Sequence, residues 1–195
     1  MYMQMKNLEE GKKMGSYSNA AKGMKLLFLS QIGAIISAVF AVIPFIGIIG
    51  AIAAVVFGVL GVYGLYVAGS DVEGCKKAMI LTIVNVVVSL LGNFFWESFF
   101  SIVSQILSLA IVYLVCKSIG EALSNIGDSK TAAFGATTSK LYIVCYAIAI
   151  VLSIIGQIPL IGFVAKIIAV PVAIVELVAG IMYIMFCYKS YNSLQ

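Results

Sequence analysis

The stretch GIIGAIAAVVFGVLGVYGLYVA, from Gly47 to Ala68, decides the fold. It holds no charged side chain and no proline. A helix over it would be about 33 Å long at ~1.5 Å per residue, enough to cross the ~30 Å hydrocarbon core of a bilayer. No face of such a helix is polar enough to meet water, so the segment reads as a membrane span.

Working outward, further apolar runs fall at 26–43, 79–91, 102–115, 141–155 and 161–186. The run at 79–91 is short for a span until the cluster Phe94, Phe95, Trp96, Phe99 and Phe100 is counted. That cluster suits a turn at the headgroup level, where aromatic bodies stay in lipid while polar groups meet water. The whole chain is 63% hydrophobic and 10% charged, against roughly 45–50% and about 25% in soluble domains. The expected fold is therefore an all-α integral membrane protein, with six transmembrane helices arranged as three tandem helical hairpins. The hairpins fall at about 23–70, 75–118 and 138–190, inside one domain spanning 23–195. Residues 1–22 read as a polar arm, because no short apolar region leads there to a small-residue cleavage site.

Lysine positions set the orientation. Lys6, Lys12, Lys13, Lys22 and Lys25 precede the first span, Lys76 and Lys77 follow the second, and Lys117, Lys130 and Lys140 lie between the fourth and fifth. Lys189 follows the sixth, and Lys166 alone lies inside a run. The opposite turns carry only Glu97. The positive-inside rule then places both termini in the cytoplasm, with the plasma membrane as the expected location.

The chain also echoes itself. Lys25 stands nineteen residues before Pro44 in Ile43-Pro44-Phe45-Ile46-Gly47, and Lys140 nineteen before Pro159 in Ile158-Pro159-Leu160-Ile161-Gly162. Lys77 stands nineteen before Trp96 in the middle hairpin. Either the hairpins are repeats of one unit, or each independently needs Lys inside and a turn-forming residue outside. In both cases they run parallel, unlike the inverted repeats of many secondary transporters.

Several function classes are weakened by composition. All 12 basic residues are Lys, so the guanidinium forks that grip phosphates or base edges are absent. Nucleic acid is not an expected partner. The chain has no His, which removes the commonest general base and metal ligand. No Walker loop, dinucleotide fingerprint, metalloprotease helix motif or nucleophile elbow occurs. An enzyme is not expected, nor is a cofactor. Cys75, Cys116, Cys145 and Cys187 fall near the cytoplasmic ends of spans without C-x-x-C spacing. They read as buried thiols, not disulfides or a metal site.

Lipid gives helices no hydrophobic reason to associate, so close packing relies on small residues. Gly33, Ser37 and Ala41 make one such stripe, and Ala54, Gly58, Gly61 and Gly64 another. They are expected to pack the first two spans together, with a pore lining or subunit interface as the functional alternative.

Glu176 is the residue most open to a functional reading. It lies ten residues before Phe186, about 15 Å along a helix at ~1.5 Å per residue, near the middle of the membrane. A carboxylate there costs on the order of 2.5–3.5 kcal/mol on insertion scales. Such groups face a bundle interior and mark ion, proton or substrate paths, or are held structurally, here by Asn85, Gln31, Gln105 or a serine. Pro171, between Lys166 and Glu176, is expected to kink the helix and free the Ile167 carbonyl. Lys166 lies about 15 Å and ~80° from Glu176 on a straight helix. It is therefore expected to reach the outer interface instead of pairing with Glu176.

These features point to an oligomeric channel or transporter-like protein, with Glu176, Pro171, Asn85, Gln105 and Lys166 as path candidates. The alternative is a non-catalytic membrane module acting on other membrane proteins. The bilayer is the expected partner in either case. Six helices with cytoplasmic termini are also the format of the vitamin-binding subunits of energy-coupling-factor transporters, although no motif here carries that likeness.

Overall fold

A computed structural model describes residues 17–41, 43, 47–92, 97–156 and 162–195, with backbone alone at 41, 97, 98 and 162–166. Six helices account for nearly all of them: α1 (Ser18–Ala41), α2 (Gly47–Ala68), α3 (Glu73–Gly92), α4 (Glu97–Asn125), α5 (Ser129–Ile155) and α6 (Gly162–Ser193). Each is long and apolar enough to cross a membrane, and no strand occurs among the described residues. The chain is a polytopic membrane protein. In each span's most apolar stretch only 11% to 33% of residues are buried inside the bundle. The remaining apolar surface, such as Ile48, Val55, Val59, Val170 and Leu177, faces lipid.

The helices run alternately up and down, and each packs on its neighbour in sequence: α1 on α2, α2 on α3, and so on to α6. α6 returns to α1, so the six form a closed ring in chain order. The α1–α2 interface is the most extensive. Most of the largest fully buried side chains, among them Met24, Val115, Ile119, Leu123 and Phe186, lie toward the end of the bundle that carries most of the lysines, with Ser37 the exception. The ring is thus plugged at its Lys-rich end.

Each hairpin is drawn together at that end by a glycine. A Cβ at Gly23 would sit 2.5 Å from the Gly64 carbonyl oxygen and 2.6 Å from the Ala68 Cβ, so α1 and α2 cross backbone to backbone. A Cβ at Gly74 would collide with Ser118 across α3 and α4, and one at Gly135 with the Phe186 ring across α5 and α6. Without hydrophobic driving force between helices, this closeness supplies the van der Waals contact that holds them.

The connection between the fourth and fifth spans differs from expectation. The apolar runs at 102–115 and 141–155 leave residues 117–140 between the spans, but α4 continues to Asn125 and α5 begins at Ser129. The turn between them is Ile126-Gly127-Asp128. Gly127 adopts φ +92°, a left-handed conformation available to glycine at little cost. The N–H of Asp128 bonds to the Leu123 carbonyl at 2.9 Å and that of Gly127 to the Ser124 carbonyl at 3.1 Å, the two bonds of a Schellman stop. Asp128 then caps the next helix by accepting the Thr131 N–H at 3.0 Å. Its other oxygen accepts the Ser193 hydroxyl at 2.6 Å, tying the end of α6 to the start of α5. Two adjacent residues therefore end one helix and start the next, and both helices extend beyond their apolar runs.

The proline turns at Pro44 and Pro159, Trp96 and its neighbours, and the arm through residue 16 lie outside the described residues.

Candidate functional site: a polar axis inside the ring

Many of the membrane-depth polar residues lie on the inner faces of the ring, although Ser89 and Ser101 are exposed. On α3, Thr82, Asn85 and Ser89 recur at intervals of three and four, the spacing of one helix face. On α4, Ser101, Ser104, Gln105 and Ser108 do the same. The two stripes meet: Asn85 donates through Nδ2 to Ser108 Oγ at 3.1 Å and accepts from Ser104 Oγ at 2.7 Å. Ser104 also lies 3.2 Å from Ser89 Oγ. Polar groups in an apolar bundle gain by finding each other, and here that joins α3 to α4.

A central chamber of about 340 Å³ is lined by residues from all six helices. Its polar lining comes from Ser30 and Gln31 of α1, Thr82 of α3, Ser108 of α4, Tyr142 and Tyr146 of α5, and Tyr183 of α6. No charged side chain lines it. Tyr142 stacks on Tyr146, with centroids 5.6 Å apart and planes at 18°, and meets Tyr183 edge-on at 6.0 Å. Tyr183 is buried and packs into the same apolar cluster as Val115, Ile119 and Phe186. The aromatic trio therefore forms the floor of the chamber on the Lys-rich side.

A second hollow, also about 340 Å³, continues along α5 and α6 away from that floor. Ala149 and Ser153 line it from α5, on the helical face that carries Tyr142 and Tyr146. Ala169, Ala173 and Glu176 line it from α6, and Glu176 stands two turns from Tyr183 on one face. Glu176 is half-buried and has no hydrogen bond or ion pair among the described residues. Gln105 reaches this region from α4: its Nε2 lies 3.4 Å from Ser153 Oγ and 3.5 Å from Ser101 Oγ. Its carbonyl oxygen Oε1 is buried without a hydrogen-bond partner.

The path candidates are thus separated. Gln105 lies 3.4 Å from Ser153, which lines the Glu176 hollow although Gln105 itself does not, whereas Asn85 is engaged between α3 and α4 and does not line that hollow. Pro171 is exposed, lies within the helical span of α6 and does not line the hollow. The backbone of Lys166 lies in α6, and its side chain is outside the described residues.

The small-residue stripes also divide. Gly33 leaves room for the Phe57 ring, Ser37 is buried and donates to the Gly33 carbonyl at 2.7 Å, and Gly64 meets Gly23. Gly61 faces Ser30, whose hydroxyl donates to the Phe57 carbonyl at 2.7 Å. Yet Ala54 and Gly58 line the chamber with Gly61, and a Cβ at Gly58 would meet nothing within 4 Å. α1 and α2 stay in contact as far as Gly33 and Phe57, so Gly58 meets nothing because its face of α2 turns to the chamber and not to α1. The side chain of Ala41 is outside the described residues.

Sequence reasoning passed over Ser30, Thr82, Ser104, Ser108, Ser153 and the three tyrosines. Their signal was present as polar residues at helical spacing inside apolar runs. Among the described residues, no three Cys, Asp or Glu side chains converge as metal ligands, and all four thiols are buried and free. Comparison with protein-family models, curated proteins and solved structures returns no match, so the meaning of this axis rests on its geometry.

Proposed function

We propose that this chain is a small membrane transport protein whose central chamber takes a small, uncharged polar solute. The supporting observation is the chamber itself. All six helices contribute to it, its polar lining is hydroxyl, phenol and amide, and it carries no charge. Its volume of about 340 Å³ suits a small molecule, at the lower end of the ~300–1,000 Å³ usual for ligand pockets. The buried cluster at the Lys-rich end closes one side, which fits a gated path and not a permanently open pore. In this reading the Lys-rich end and both termini face the cytoplasm of the plasma membrane, and the working unit is a homo-oligomer.

The test is solute flux into proteoliposomes. Gly58→Leu fills the chamber with an apolar side chain at a wall position where a Cβ meets nothing within 4 Å. We expect it to keep the wild-type elution profile and lose flux of small polyols or amides. Wild-type flux in that variant would sink the proposal. Cysteines placed at Lys130 and at Gly156 test the orientation, and labelling of Lys130→Cys from outside intact cells would reverse it.

A second reading, a membrane interaction module, draws on a different feature. A groove of about 690 Å³ between α4 and α5 at the Lys-rich end is lined by Gly120, Ala132, Ala136 and Ser139, with Lys117 and Lys140 beside them. Small residues in a groove of that size suit another helix. A second protein retained in stoichiometric amount after mild extraction would favour this reading.

A further inference from the structure

We infer that Glu176, Ser153 and Gln105 contribute the ligands of a binding site for one monovalent alkali cation, beside the solute chamber. The inference rests on reading the inner faces of the ring as a polar path, but the site is defined by its own groups.

Glu176 is half-buried at membrane depth, and no Lys lies within ion-pair distance of it among the described residues. Its carboxyl therefore needs a neutralising charge that the described side chains do not supply. The hollow it lines contains Ser153 and otherwise small apolar residues, Ala149, Ala169 and Ala173 among them. The small side chains leave space for an ion and its remaining waters.

The buried Oε1 of Gln105 independently calls for an electropositive partner. Its amide nitrogen faces Ser153 and Ser101, while the oxygen has no donor in reach. Buried carbonyl oxygens are nearly always satisfied, so an orphan marks a missing group. If the amide is turned about, a buried N–H₂ is left without an acceptor instead, which is no better satisfied. In the proposed site a cation beside Ser153, which Gln105 reaches from α4 and which lines the hollow with Glu176, would satisfy both this oxygen and the carboxylate.

The chemistry of the donors selects the ion. Carboxylate, amide and hydroxyl oxygens are hard ligands that suit alkali and alkaline-earth cations, not soft metals. One carboxylate balances one positive charge, whereas a divalent ion would leave a net charge in apolar surroundings. The site stands two helical turns from Tyr183 on the same face of α6. Ion occupancy at that distance can be coupled to events at the chamber.

The experiment is Na⁺ titration of the purified full chain in detergent, by calorimetry and by thermal unfolding, against choline at equal ionic strength. We expect saturable Na⁺ binding with a rise in melting temperature. Glu176→Gln should retain the elution profile and lose both effects. Should that variant fail to fold, Gln105→Leu and Ser153→Ala keep the carboxylate and should each lower Na⁺ affinity. Identical melting in Na⁺ and choline, a larger shift from Ca²⁺, or unchanged Na⁺ binding in Gln105→Leu and Ser153→Ala would each overturn the site. Binding is read without flux. Solute transport that survives without Na⁺ binding would remove this site alone, and Na⁺ binding without solute flux would remove the transport reading alone.

Discussion

Asp71 caps a helix that begins more than fifty residues before it. Its Oδ2 accepts the backbone N–H of Asn19 at 2.7 Å and that of Ala20 at 2.9 Å, while Oδ1 accepts the Asn19 side-chain amide at 3.0 Å. The turn after α2 therefore satisfies the first free donors of α1, which α1's own residues leave unpaired.

Asp71→Ala should lower stability by about 1–2 kcal/mol, the usual cost of losing a side-chain cap. Thermal unfolding in detergent reads this directly. A wild-type melting temperature would mean that water serves those N–H groups equally well.

The glycine crossing should be intolerant, and the chamber wall tolerant. Gly23→Ala places a Cβ against backbone atoms of Gly64 and Ala68, which cannot swing aside as a flexible side chain can. A cost of about 1–3 kcal/mol is expected for forcing the helices apart. Gly58→Ala meets open space and should be neutral or stabilising by up to ~1 kcal/mol through helix propensity. Melting temperatures of the pair, measured side by side, check both.

Asp128 should make the α4–α5 turn sensitive to acid. The Ser193 hydroxyl, then the side chain and backbone N–H of Thr131, hold its carboxyl below the ordinary value. A depressed native pKa contributes stability above the unfolded value of about 3.9, lost as pH falls through the native value. The effect belongs below about pH 4. Asp128→Asn should flatten the dependence of melting temperature on pH there, and an unchanged slope would show that other carboxylates set it.

Asn85 should act as a bridge between α3 and α4. Replacing it with Leu removes its bonds to Ser104 and Ser108. Interhelical hydrogen bonds of this kind are worth ~0.6 kcal/mol on average and up to ~1.7, so a modest fall in unfolding temperature is expected. No change would imply that the two serines re-pair with each other or with water.

Much of the fold was legible because lipid enforces it. Uncharged runs of spanning length, with lysines kept to one end, leave few arrangements other than alternating helices. The helix ends were harder to read. Gly127 followed by Asp128 is a stop and a start in adjacent positions, but the polar residues around them looked like a loop when apolarity was the only guide. The site was half legible. Glu176 announces itself as the lone carboxylate of the final run, and Gln105 stood among its possible partners. Their relation through Ser153 depends on how α4, α5 and α6 are rotated, and no single helix's spacing contains that information. The stripe from Ala54 to Gly64 was ambiguous for a related reason. Small residues look the same whether they admit another backbone or leave a hollow, and only the rotation of α2 against α1 separates the two.

The closure of the ring bears on how the protein is made. α1 has its hairpin partner as soon as α2 is inserted, but its other flank waits for α6, where Phe28 meets Tyr188 at 5.3 Å and Lys25 lies over Tyr191 at 5.5 Å. Until then the seam is an open edge, and an α6 from a neighbouring chain offers it the same surface. Crowded synthesis should therefore yield dimers that exchange their last helix, a misassembly inherent in a circle whose two ends are made at different times.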